Sequence, residues 1–128
     1  YKKSGPNVLG VEALQGDDGC TGVKVNTADG YADYLFSATD MQAHHPSKRV
    51  SFCGGLGLIR EKEGQIQLMY LGCGRSLKKG NFVLESDHDV YAAIYMQHGV
   101  WYYSATGPVR VKIGKETKEL NEGYNQKL

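Results

Sequence analysis

The sequence has no surplus of charge, few cysteines, no long apolar run and almost no helical periodicity. Each shortage removes a class of protein. The 128 residues carry 15 basic and 14 acidic side chains, a net charge of +1. A nucleic-acid binder shows a marked basic excess, so no nucleic-acid partner is expected. No stretch is long and apolar enough to cross a bilayer as a helix, so no membrane partner is expected either. The three cysteines, Cys20, Cys53 and Cys73, are too few and too scattered for a disulfide scaffold, and an odd number leaves at least one unpaired. Cys53 and Cys73 either pair or act as small buried apolar residues; the spacing leaves both open, and the redox compartment is not set. The chain begins Tyr-Lys-Lys-Ser-Gly-Pro, without an initiator Met or a signal peptide. This points to a piece of a larger protein or to a mature form.

What is present is alternation. The 17 Gly and nine Tyr suit tight turns and aromatic-rich strands. Leu9, Val11 and Ala13 alternate with polar or small neighbours, and Gly16-Asp17-Asp18-Gly19 reads as a turn. Val23 and Val25 alternate with Lys24 and Asn26. Asp29-Gly30 is a hairpin signal, because both residues tolerate positive φ. Tyr31 to Ala38 follows as a strand, and Thr39 to Lys48 as a loop. Val50 and Phe52 open the next strand, with a bulge or sharp bend at Gly54-Gly55 and Gly57. Lys62-Glu63-Gly64 is a three-residue turn, and Ile66, Leu68 and Tyr70 share a face.

Phe82 and Leu84 alternate, as do Val90, Ala92, Ile94 and Met96 with Tyr91, Ala93 and Tyr95. His98-Gly99 is a two-residue turn, after which Val100 and Tyr102 oppose Trp101 and Tyr103. Gly107-Pro108 is a break. Val109, Val111 and Ile113 form the cleanest half-buried strand, and the tail after Gly114 reads as fraying. The sum is an all-β chain, an antiparallel β-sandwich of about nine short strands in one domain over residues 1–128.

Catalytic signatures are absent. There is no Gly-x-Ser-x-Gly elbow and no phosphate loop. His44-His45 lies in a predicted loop, where adjacent residues point apart, and Asp40 is the one carboxylate at metal-like spacing. A solvated loop is the expectation there. Asp87-His88-Asp89 after Ser86 reads as turn chemistry. Glu61, Glu63, Glu116 and Glu119 fall in turns or the tail, where water leaves a carboxyl near its ordinary pKa. No catalytic residue, metal or cofactor is assigned. One constellation suits binding. Tyr91, Tyr95, Trp101 and Tyr103 lie on strands joined by the His98-Gly99 turn. Arg75, Lys78 and Lys79 cluster near another turn, as do Lys48 and Arg49. Tyr and Trp rings stack on sugars, and cations pair with uronate or sulfate. The competing reading is cross-strand packing or core.

Several strand motifs together resemble a known group. Thr27-Ala28-Asp29-Gly30 through Tyr34-Leu35-Phe36-Ser37, then Phe52 to Arg60, Ile66 to Leu77, Gly80 to Leu84 and Tyr103 to Val111, resemble the C-terminal β domain of heparinase II/III-like polysaccharide lyases. The resemblance covers residues 22–113. It implies a parent enzyme that cleaves acidic polysaccharides by β-elimination, with Tyr and His as acid and base in an α/α toroid and a central sheet domain. This chain has no helical segment long enough for a toroid, and no catalytic position of the family maps onto it. The expectation is a non-catalytic accessory domain of a secreted or periplasmic bacterial lyase. Its partners would be the catalytic domains of the same parent chain and an acidic polysaccharide. The alternative is a free-standing carbohydrate-binding module with an aromatic platform.

Overall fold

The computed structural model describes residues 8–14, 19–47 and 49–128. The expected turn at 16–18, Lys48 and the opening hexapeptide lie outside the described residues. Among those described there is no helix, and all regular structure is antiparallel strand. Eleven strands form, two more than the sequence suggested. They are β1 (Val8–Leu14), β2 (Cys20–Thr27), β3 (Tyr31–Ala38), β4 (His44–Ser47), β5 (Val50–Lys62) and β6 (Gln65–Lys79). Then come β7 (Phe82–Gln97), β8 (Val100–Ala105), β9 (Val109–Ile113), β10 (Glu116–Leu120) and β11 (Gly123–Lys127).

The three longest strands, β5, β6 and β7, each run through both layers of the sandwich. One end of each joins the main path, which runs β1-β2-β3-β5-β6-β7-β8-β11. The other ends pair with one another, with β4 lying on β5 and with β9 and then β10 continuing from β7. The crossing points are register shifts at Cys53/Gly54 in β5 and on either side of Gly74 in β6. Here the expected glycine bend is present, and close approach of backbone explains it. A Cβ on Gly74 would sit 2.9 Å from the Cα of Gly54, and one on Gly54 would sit 2.8 Å from the Cα of Gly74. Any side chain at either position would force the strands apart.

The turns follow their residues. Glu63-Gly64 and His98-Gly99 both take positive φ at both positions, the geometry that matches strand twist in a two-residue hairpin. The first is therefore tighter than the three-residue turn expected. The Gly30 amide donates to the Thr27 carbonyl at 3.2 Å, closing the Asp29-Gly30 turn.

The core lies between the layers. Phe36, Ile59, Met69, Leu71, Ile94 and Ala92 line one side, and Val50, Phe52, Leu77, Leu84, Val109 and Val111 the other. Phe36 and Phe52 meet across the gap with ring centroids 5.9 Å apart. The Lys79 ammonium, from the smaller layer, reaches Glu61 in the larger at 2.6 Å and sits 3.8 Å from the centroid of the Tyr34 ring. Both faces of the sandwich thus obey period-two burial.

Three expectations need correction. The tail does not fray. Residues 116–120 pair with β9, β11 pairs with β8, and the Leu128 amide donates to the Trp101 carbonyl at 3.0 Å. Edge pairing uses backbone groups, so a charged strand of exposed side chains leaves no apolar signature in the sequence. The segment from Thr39 is not all loop, since β4 pairs with β5. The alternating apolar side chains of β1 do not enter the core: Leu9 is 71% and Val11 64% exposed.

Candidate functional site

The strand pleat decides which aromatic rings reach solvent. On β7, Val90, Ala92 and Ile94 are buried, so Tyr91 and Tyr95 face outward. Met96 pairs with Trp101, and Ile94 pairs with Tyr103. Trp101 and Tyr103 therefore share the inner face with the core, and Tyr102 takes the outer face. Trp101 packs on Phe82 at 6.0 Å between centroids. Tyr103 is 8% exposed, so its ring offers no face to a ligand in this fold. Tyr91 is 54% exposed. Tyr95 is half-buried and stacks on Tyr102 at 6.1 Å. The four rings named from sequence thus divide two and two between the faces.

The outer face carries a hollow of about 620 Å³ beside Tyr91. Its walls include Tyr70, Tyr91 and Tyr124, with Ala93 and Ser104 among the small residues lining it and Glu122 contributing a carboxylate. Ala93 and Ser104 pair across β7 and β8. Their small side chains leave room that a larger pair would fill. Tyr124 and Glu122 belong to the tail segment that continues into β11. That segment is held by the two tyrosines that do not lead the site. The Tyr103 hydroxyl donates to the Asn121 carbonyl at 3.2 Å, and the Tyr95 hydroxyl donates to Asn125. The Asn125 amide donates to Ser104 Oγ at 2.9 Å. Sequence reasoning missed Tyr70, Glu122 and Tyr124. The sequence set Tyr70 on one face with Ile66 and Leu68, but a register shift against β5 lets Ile66 turn into the core while Leu68 and Tyr70 stay on the outer face. The other two were hidden because the tail was read as fraying.

The basic residues do not gather on one face. Arg75 Nε donates to Asp89 at 2.9 Å. Lys78 lies 3.5 Å from Glu85, and Lys79 is bound to Glu61. Each cation already has a carboxylate partner, which an anionic glycan would have to displace. Glu85 also accepts from Arg110 at 2.9 Å. Burial pushes the Glu85 carboxyl upward, yet the bonds from Arg110 and Lys78 together hold it below the usual carboxylate range. Glu61 does not sit in water as expected, since its side chain is 14% exposed under Lys79. Near the middle of the outer face, Arg60 makes a two-pronged contact with Asp33 at 2.7 and 2.9 Å. That contact raises the Arg60 pKa.

The histidines depart from expectation in one place. His45 is exposed, but His44 is buried on β4 at 3% exposure, with Nε2 2.7 Å from Asp40 Oδ1. The bond to His44, helped by the Gln42 amide, holds the Asp40 carboxyl below its ordinary value. The pair fastens the segment over Gly19, where a Cβ would meet Asp40 at 3.0 Å. Among the described residues no group of three potential ligands gathers to hold a metal. Asp87-His88-Asp89 lies within β7 rather than in the turn expected; there the His88 amide donates to Ser86 Oγ at 3.2 Å, and that hydroxyl donates to the Pro108 carbonyl at 2.7 Å. Cys53 and Cys73 do not pair with each other, and Cys53 Sγ donates to the Met41 carbonyl at 3.1 Å. Burial raises the Cys53 pKa, which makes it a poor nucleophile at neutral pH.

Comparison with known proteins supplies the family. Residues 8–96 match the endo-acting ulvan lyase C-terminal domain. No curated protein and no solved structure matches the chain. The match names an ulvan lyase where the strand motifs resembled a heparinase II/III-like enzyme. What the two have in common is a C-terminal domain of a polysaccharide lyase. The matched stretch is well over half of the sequence and runs from the start of β1 nearly to the end of β7. The chain therefore belongs to the family of endo-acting ulvan lyase C-terminal domains.

Proposed function

We propose that this chain is a single, non-catalytic accessory β domain of a secreted or periplasmic bacterial polysaccharide lyase, packing against the catalytic domains of its parent chain. The observation that carries this reading is the apolar end of the outer face. Val8, Leu9 and Val11 on β1, Leu35 on β3 and Leu56 on β5 are all exposed. Val23 and Leu35 pair across β2 and β3, and Leu35 pairs with Leu58 on β5. The exposed leucines thus sit within one continuous apolar sheet surface. β1 is also an edge strand, with its second side unpaired by any described strand. An uncovered apolar edge invites aggregation unless another surface covers it. A C-terminal domain has other domains before it in its chain, and β1 is where the chain enters the sheet from that side.

The substrate of the parent enzyme is an acidic polysaccharide on this reading. A lyase breaks its glycosidic bond by elimination, and the proton it removes is acidic enough only beside a carboxyl group. Such a polymer is too large to enter a cell intact, which supports a location outside the cytoplasm. No helix among the described residues is long and apolar enough to cross a membrane.

The test mixes this chain with the separately produced remainder of its lyase and measures co-elution. Binding should be lost in a Leu9→Asp, Leu35→Asp variant whose melting temperature matches the parent chain. Undiminished association in that variant would remove the docking reading. Incubation of the chain alone with ulvan should give no rise in unsaturated-product absorbance; turnover would overturn the non-catalytic part. A free-standing carbohydrate-binding module is the second reading, favoured by the exposed Tyr91 and the hollow beside it.

A further inference from the structure

Among the described residues, β1, β4, β10 and β11 lie at edges of the sheet. Three of these edges are guarded against pairing with another chain. β4 is four residues long, contains Pro46 and slips register between His44 and Ser47. β10 places Glu116, Lys118 and Glu119 within five residues. β11 slips register between Gly123 and Gln126, where Asn125 takes positive φ. Shortness, proline, charge and irregularity are the usual means of blunting an edge. β1 has seven residues, no proline and one charged side chain, Glu12. Its register shift falls at its start, between Val8 and Gly10, and residues 10–14 keep regular pairing with β2. On the side away from β2, alternate N–H and C=O groups of this run meet no described strand.

We propose that the β1 edge is a strand-addition site: an extended segment from the catalytic part of the parent chain pairs with residues 10–14 and continues the sheet past β1. The proposal rests on the docking reading and adds how the contact is made. In strand addition, backbone hydrogen bonds supply the attachment and alternate side chains supply the specificity. Val11 and Ala13 lie in register with Val25 and Val23, and Val23 with Leu35, so the outer row is aliphatic from β3 to the edge. The segment that fits therefore carries apolar side chains at every second position, on the side it shares with that row. Its source is the parent chain rather than a second copy. A C-terminal domain has other domains before it in its chain. A segment tethered by a short flexible linker meets the edge at an effective concentration of about millimolar, which a free second copy does not reach in dilute solution.

The experiment measures hydrogen exchange of the β1 amides in this chain alone and in its complex with the separately produced remainder of the lyase. In the chain alone, every second amide of residues 10–14 should exchange freely, because it points away from β2. In the complex those same amides should slow by about tenfold or more as they gain partners. Glu12→Pro and Ala13→Pro sharpen the result, since neighbouring amides of an edge strand point to opposite sides and neither change removes a large apolar side chain. Whichever proline replaces an amide that exchanges freely should leave the melting temperature unchanged and weaken association about tenfold or more. The other should lower the melting temperature. Glu12→Ala, the control for the lost carboxylate, should associate as the parent chain does. Association with β1 exchange unchanged overturns strand addition and leaves the docking reading standing. Absence of association removes both. Undiminished association of the outward proline variant also overturns the proposal. So does protection of the same amides in the chain alone as its concentration rises, which would assign the edge to a second copy.

Discussion

At the β1 end of the outer face the exposed side chains are aliphatic and the depression between them is small; at the β11 end they are tyrosines and the depression is broad. The β1 end holds a dip of about 150 Å³ along Val23, Leu35 and Leu56. The other holds about 620 Å³. Both arise from the same alternation, which sends every second residue outward. The difference comes from what stands above the sheet. At one end nothing described rises over β1. At the other, the tail returns as β11 and raises Glu122 and Tyr124 into a wall. A mainly aliphatic surface suits a broad protein partner, whereas an open depression lined by tyrosines, hydroxyls and a carboxylate suits a small hydroxylated ring.

Three changes should break or sharpen this contrast. The largest is Phe52→Ala. Phe52 is fully buried between the layers and touches Phe36, so both ends of the outer face stand on it. Removal should cost about 3–5 kcal/mol in a denaturant titration and weaken docking and glycan binding together. A variant that lost one activity and kept the other would show that the ends do not share a foundation. The next is Tyr103→Phe. It deletes the hydroxyl that holds Asn121 and should cost about 1 kcal/mol. Glycan affinity should fall while association with the rest of the lyase stays as it was.

The smallest effect is expected on acidification. The folded state holds the Asp40 carboxyl below its unfolded value, about 3.9 in model peptides. The stabilisation is therefore present above that unfolded value and fades as pH falls through the depressed folded value. Amide signals of Gly19 and Gln42, on the segments that Asp40 and His44 join, should shift in that window. Those of Tyr91 and Tyr124 should not move with them. A concerted shift at both ends would mean that acid acts on the whole sandwich.

The sequence made the core legible and left the edges obscure, for a physical reason. Val90, Ala92 and Ile94 announce burial because their environment is apolar on one side and wet on the other. Asp29-Gly30 and His98-Gly99 announce turns because each holds a glycine where the chain takes positive φ. Glu116 to Leu120 announces nothing, since a strand added at an edge is held by backbone bonds that any sequence supplies. β1 misleads in the opposite sense: its apolar side chains alternate correctly but face solvent rather than the core. The candidate site suffered from both effects. Tyr91 was identifiable from its strand. Tyr103 has the same residue type on a neighbouring strand, and only the register of β8 against β7 turns it inward. Arg75, Lys78 and Lys79 looked like a patch because sequence shows proximity along the chain and conceals the carboxylates that other strands bring to each.

β5, β6 and β7 pass through both layers without interruption. A sandwich assembled from two separate sheets can in principle shear or part along its interface, with each sheet keeping its own hydrogen bonds. Here any such parting must first straighten three strands at their glycine crossings. The most protected amides of the two layers should therefore exchange with solvent at one common free energy, that of global unfolding.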